Sequence, residues 1–330
     1  MTPISPETEP STESTSSRKT GRTKIFVVLA TCAAMVIATV VVVAWAPWRS
    51  THSSQQVRYL GIYEPDSPNS YAGLDHFAQA IGRQPDLVTY YSHWLDPFQT
   101  AFAQSAAAHG ATAIVQIDPK NVSLADIANG NFDAYLRSYA AAVKAFGKKV
   151  VLSFGHEMNG DWYSWGYINT SARTFVAAWR HIVTTFRAAG ANNVIWLWTV
   201  NIIDNDGPII PNPGSWWPGN SYVNWVGIDG YYYKSSQTFA ELFGPTIVDV
   251  RALTRDPILI AETGASIVAD QAAKVTDLFA GIQTYGLLGF VWFDADDTTQ
   301  HLDWRLSGSA AIAAYRQDAK TFMRSASAQP

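Results

Sequence analysis

The chain has 330 residues, with 23 Lys plus Arg against 27 Asp plus Glu and a formal net charge of -4. That balance excludes a protein built to grip nucleic-acid phosphates, and 48% hydrophobic against 15% charged residues excludes a largely disordered chain. One Cys excludes an intramolecular disulfide, and the seven His show no pair at metal-ligand spacing, so no metal is expected.

Residues 1–24 are rich in Ser and Thr with Pro3, Pro6 and Pro10, too poor in apolar surface to fold, and are expected as a disordered cytoplasmic tail. Residues 25–46 carry no charge over a length that spans a bilayer as a helix. Arg18, Lys19, Arg22 and Lys24 precede this run and Arg49 follows it, so the positive-inside rule leaves the N-terminus cytoplasmic and exports the rest. Ala44-Trp45-Ala46 also fits a signal-peptidase site, but the run is longer than a usual signal core and Pro47 follows it, which favours an uncleaved anchor in the cell membrane. Residues 47–55 are a short polar stalk.

From residue 56 to 325, short β-branched and aromatic runs alternate with segments of helical character, the pattern of buried parallel strands joined by helices. Eight such strands are predicted: Val57–Tyr63, Leu87–Trp94, Ala113–Ile117, Val150–Phe154, Val194–Val200, Trp225–Tyr231, Ile258–Ala261 and Leu288–Phe293. Helices are predicted over Asp96–His109, Phe132–Phe146, Ser171–Ala189, Thr238–Thr254 and Ala269–Tyr285, with Gly110, Gly147, Gly190 and Gly286 as stop signals past four of them. Eight such units over this length make a (β/α)8 TIM barrel, an α/β fold, the expected architecture. An open doubly wound sheet is the alternative, but no Gly-x-Gly-x-x-Gly turn follows the first strand, so no nucleotide and no cofactor are expected. Residues 326–330 are read as a C-terminal tail.

Chemistry in such barrels lies at the C-terminal ends of the strands. The fourth run ends at Glu157 and the seventh at Glu262, which places two glutamates across the mouth from one another. Facing carboxylates suit glycosidic cleavage, one as acid and one as nucleophile or base. Glu262 follows an apolar strand and is the better nucleophile, while Glu157, beside His156 and Asn159, is placed to protonate a leaving oxygen. The positions alone leave that assignment open, and either could be a structural ion-pair carboxylate. Trp162, Trp165, Trp292 and Tyr231-Tyr232-Tyr233 also fall near the mouth, and flat rings there suit the C–H faces of sugars. His93 and Trp94 after strand two are candidates for distal subsites; Asp118 before Pro119 is one too, unless it merely caps the next turn.

The stretch from Phe154 to Gly166, Phe-Gly-His-Glu-Met-Asn-Gly-Asp-Trp-Tyr-Ser-Trp-Gly, resembles the acid/base motif of glycoside hydrolase family 26. That family belongs to a clan of retaining barrel enzymes and contains β-mannanases and mixed-linkage β-glucanases. The resemblance implies Glu157 as acid/base, His156 as its characteristic neighbour, Trp162 as a subsite aromatic and Glu262 as nucleophile. It further implies that Tyr231 holds the nucleophile by a hydrogen bond, that Asp229 supports it, and that Trp292 is the platform under the central sugar. The segments after strands two and three are shorter than in many mannanases, which leaves the sugar-selecting residues unplaced. Asp294, Asp296 and Asp297 lack the Gly and Glu of a calcium loop and are read as rim.

The sequence thus predicts a membrane-anchored, monomeric endo-β-glycoside hydrolase of a polysaccharide. A polysaccharide-tethering barrel with little catalysis and an envelope transglycosylase are its rivals.

Overall fold

The structure, a computed structural model, describes residues 58–203, 210–266, 269–297 and 302–327. The expected tail, anchor and stalk of 1–24, 25–46 and 47–55 lie outside the described residues. Among the described residues no helix is long and apolar enough to cross a membrane.

Eight parallel strands close into one barrel in sequence order: β1 (Tyr59–Tyr63), β2 (Leu87–His93), β3 (Thr112–Asp118), β4 (Val150–Phe154), β5 (Val194–Asn201), β6 (Trp225–Asp229), β7 (Ile258–Thr263) and β8 (Gly289–Phe293). The helices between them are α1 (Ala72–Ile81), α2 (Thr100–Ala108), α3 (Leu124–Ala128), α4 (Asp133–Phe146), α5 (Ala172–Ala188), α6 (Phe239–Leu253), α7 (Gln271–Thr284) and, after β8, α8 (Ser309–Ser327). The last reaches past 325, into the residues read as a tail. Between β5 and β6 the described residues form two 3-10 turns, Pro213–Trp216 and Asn220–Tyr222, in place of an α-helix.

Helix boundaries follow side-chain chemistry. Ser171 caps α5 by accepting from the Thr174 N–H, and Thr238 with Glu241 forms a reciprocal capping box on α6. Gly110, Gly147, Gly190 and Gly286 all take the left-handed φ the sequence predicted for helix ends.

Two apolar sets divide the barrel. One contains strand residues and the residue that leads into β8, Leu87, Ile114, Val151, Leu197, Leu259, Ala261, Leu288 and Val291, and fills the lumen. The other holds the alternate strand residues together with the inner faces of the helices, Trp292 among them. Because side chains alternate along a strand, the lumen set fixes which residues near the mouth point inward: Tyr63 on β1, Tyr91 on β2, Thr199 and Asn201 on β5, Asp229 on β6 and Phe293 on β8.

Candidate active site

Glu157 sits just past β4, where the chain stays stitched to its neighbours: the Gly155 N–H donates to the Ile117 carbonyl at 2.9 Å and the Glu157 N–H to that of Thr199 at 3.0 Å. Glu157 has a left-handed φ of 52°, a conformation that costs a non-glycine residue roughly 1–2 kcal/mol and is kept mainly where function needs it. Its carboxylate is almost fully buried. Trp162 Nε1 donates to Oε2 at 2.8 Å and Asn201 Nδ2 donates to Oε1 at 2.5 Å.

Glu262 reaches the mouth by a different route. Leu259 and Ala261 both face the lumen, so strict alternation would turn Glu262 outward. The pairing jumps: Ile228 pairs with Ile260 but Asp229 with Glu262, and Ile260 pairs with Phe290 but Thr263 with Trp292. One extra residue in β7 forms a bulge, the device that re-aims side chains beside active sites. The Tyr91 and Tyr231 hydroxyls donate to the two oxygens of Glu262.

Charge distribution follows burial. Glu262 is pushed up to about 6, first by desolvation and then by the Glu157 charge, against the opposing pull of the His156 cation and the two tyrosine donors. His156 is buried, and burial pulls its imidazole down. Asp118, whose Oδ1 lies 3.0 Å from Nδ1, and the charges of Glu157 and Glu262 outweigh that and raise it to about 9. It is therefore a cation at neutral pH, and its Nε2 donates to the Tyr163 hydroxyl at 3.1 Å. Asp229 is completely buried, neither of its oxygens meets a donor, and desolvation followed by the charges of Glu262 and Glu157 holds it well above the carboxylate range. Both influences favour the protonated form of Asp229 beside Glu262.

Of the remaining candidates, Trp162 is 45% exposed, and the His93 side chain stands in solvent 3.5 Å from Asp96. Five depart from the expected role. Trp292 is fully buried on the outer side of β8, its Nε1 donating to the Trp304 carbonyl at 3.0 Å, so it offers no face to a sugar. The inward residue one position on, Phe293, stacks on Tyr63 at 4.6 Å between ring centres. Trp165 is likewise buried, stacked on Tyr163 at 4.3 Å with its N–H on the His156 carbonyl. Trp94 packs in the helix layer against Phe132, Tyr135 and Phe154. Asn159 is buried and locks β5 in place: it donates to the Asn201 carbonyl and accepts from the Asn201 N–H, each at 2.9 Å. Asp229 makes no hydrogen bond to Tyr231.

Sequence reading missed Tyr91, Asn201, Tyr63 and Phe293. Each lies at an inward position two residues beyond another lumen residue, and period-2 counting from the lumen set would have found them. Asp118 proves to be the partner of His156. Asp296–Asp297 pairs with Leu302–Asp303 as a small antiparallel rim, and Asp294 accepts from the Leu306 N–H at 2.6 Å.

The profile of glycosyl hydrolase family 26 matches residues 82–280. Endoglucanase H of Acetivibrio thermocellus is 34% identical over 276 residues, covering 78% of this chain and 30% of its own length. A β-1,3-xylanase of a Vibrio species is 27% identical over 168 residues, 47% of this chain and 35% of the relative. The chain thus spans about a third of the length of these curated relatives. Among solved structures, a β-mannanase of Bacteroides ovatus superposes with a TM-score of 0.60 at 16% identity, over 81% of this chain and 89% of that one, a likeness of fold. By the family match over most of its barrel, this chain belongs to glycosyl hydrolase family 26.

Proposed function

We propose that the chain is a retaining endo-β-glycoside hydrolase in which Glu262 is the nucleophile and Glu157 the acid/base. Glu262 attacks the anomeric carbon as the bond to the leaving oxygen breaks, and Glu157 gives its proton to that oxygen. Glu157 then takes a proton from water, which attacks the same carbon and frees Glu262. The supporting observation is the contrast between the carboxyl groups. Glu262 is gripped by two hydroxyl donors that orient it as an anion, with the His156 cation helping to keep it ionised, while Glu157 sits beside an exposed aromatic where an aglycone sugar has room.

A β-glucan of mixed linkage is the first substrate to test, because the relative at 34% identity is called an endoglucanase; β-1,4-mannan is the second. We also propose that residues 25–46 anchor the barrel outside the cell membrane, on the apolar length of that run. The test is product analysis of the full chain on both polymers beside Glu262→Ala. The variant is expected to lose about 10⁴-fold or more in kcat and to recover with azide, which replaces the nucleophile and leaves a glycosyl azide. Undiminished cleavage by Glu262→Ala would sink the assignment. Binding without cleavage by the unaltered chain would favour a tethering barrel.

A further inference from the structure

Both oxygens of Glu157 are occupied by nitrogen donors, Asn201 on Oε1 at 2.5 Å and Trp162 on Oε2 at 2.8 Å. An indole N–H only donates, and so does an amide NH2. The pair therefore fits an ionised carboxylate, the form of Glu157 that serves as base and cannot serve as acid.

The two donors are held very differently. Asn201 is fixed by its reciprocal hydrogen bonds with buried Asn159, so its grip on Oε1 is part of the barrel. Trp162 is 45% exposed, and its ring lies against Gly160, where any Cβ would collide with it. Glycine at that position is what lets the indole reach Oε2, and the ring is left nearly half exposed.

Taking Glu157 as the acid/base, as above, we propose that Trp162 is a removable clamp on it. In the free enzyme the indole N–H holds Glu157 ionised. The aglycone sugar displaces the indole from Oε2, which takes a proton from solvent and passes it to the leaving oxygen, while Asn201 stays on Oε1. The proton that Glu157 regains from water in the second step returns to solvent when the indole comes back. Trp162 is in this sense a positioning residue for the acid/base as well as a sugar contact, and Oε2 is the oxygen that carries the proton.

The test is the pH profile of kcat/KM for Trp162→Phe in the full chain on an oligosaccharide substrate. Phe keeps the ring and removes the N–H. The charged and titratable groups facing Glu157 are Glu262 from β7, Asp229 from β6, the His156 cation just past β4 and the Tyr163 hydroxyl. All remain in the variant, so a change in the profile reads the N–H alone. The basic limb is expected to move up by about one pH unit, the scale of one hydrogen bond to a charged group. On an aryl glycoside that needs no acid, kcat limited by the second step is expected to fall instead. A sugar platform alone would raise KM and leave the limb where it was, and that result overturns the proposal. Glu157→Ala separates the two failures: if it still cleaves the oligosaccharide within about twofold of the unaltered chain, the acid/base assignment itself is wrong, whatever Trp162→Phe does.

Discussion

The mouth ends of β7 and β8 begin alike and finish differently. Leu259 and Ala261 face the lumen on β7 and Val291 does on β8, so in both strands the next residue, Glu262 or Trp292, is due to point outward into the helix layer. On β7 an extra residue opposite Asp229 breaks the alternation and returns Glu262 to the lumen. On β8 the strand runs regularly opposite β1, from Tyr59 with Gly289 to Tyr63 with Phe293, and Trp292 goes outward and is buried. A residue at the right distance along a strand is therefore not yet a site residue. One bulge separates a reactive carboxylate from a core side chain.

The sharpest way to test what the bulge delivers is to remove the donors that meet Glu262. Tyr91→Phe and Tyr231→Phe each delete one hydroxyl and keep the ring. Each is expected to lower kcat by about 10–10³-fold, in line with losing one fixed donor on a charge that changes during reaction. Both rings keep their packing, so thermal unfolding should move little. Equal activity in both variants would mean that the bulge alone orients the carboxylate.

The β8 half of the comparison is tested by exchanging a loss of binding for a loss of stability. Phe293→Ala takes away the inward ring stacked on Tyr63 and is expected to raise KM about tenfold, as loss of an aromatic sugar contact would. Trp292→Phe should leave KM within about twofold and cost stability, roughly 1–3 kcal/mol, for the lost volume and for the Trp304 carbonyl left without its donor. If Trp292→Phe instead raises KM tenfold with unchanged stability, the outward assignment is wrong.

The same alternation explains how far the sequence could be read. All eight strands and the helices that the sequence predicts are present, because buried parallel strands and helix caps are written in local composition: the sequence predicts β4 over its observed span, and the cap positions of α5 and α6 fall where Ser171 and Thr238 stand. The motif around Glu157 was legible too, being contiguous. What was not legible depends on direction rather than identity. Trp292, Trp165 and Trp94 have the composition of a sugar platform, but side-chain direction depends on strand register and on bulges that arise between strands. Tyr91 was hidden for the same reason, since nothing local to Leu87–His93 says that its hydroxyl meets a carboxylate 171 residues away.

The smallest expected effect concerns Asp229, the residue paired with the bulge. In the folded chain its carboxyl is held well above its ordinary value by burial and by the charges of Glu262 and Glu157. In the unfolded chain it ionises near its model value of 3.8. Folding therefore favours the protonated form, and stability falls as pH rises from that value through the folded one. Asp229→Asn keeps the shape and carries no charge at any pH. It is expected to unfold at a temperature about 3 °C or more higher at pH 7, the shift that about 1 kcal/mol gives in a domain of this size, and to gain little near pH 3, where the unfolded carboxyl is itself largely protonated. A stabilisation that is the same at both pH values would show that Asp229 is charged in the fold. Asp229 would then act as a second anion beside Glu262, the bulge would bring two negative charges together, and the His156 cation would have both to balance rather than one.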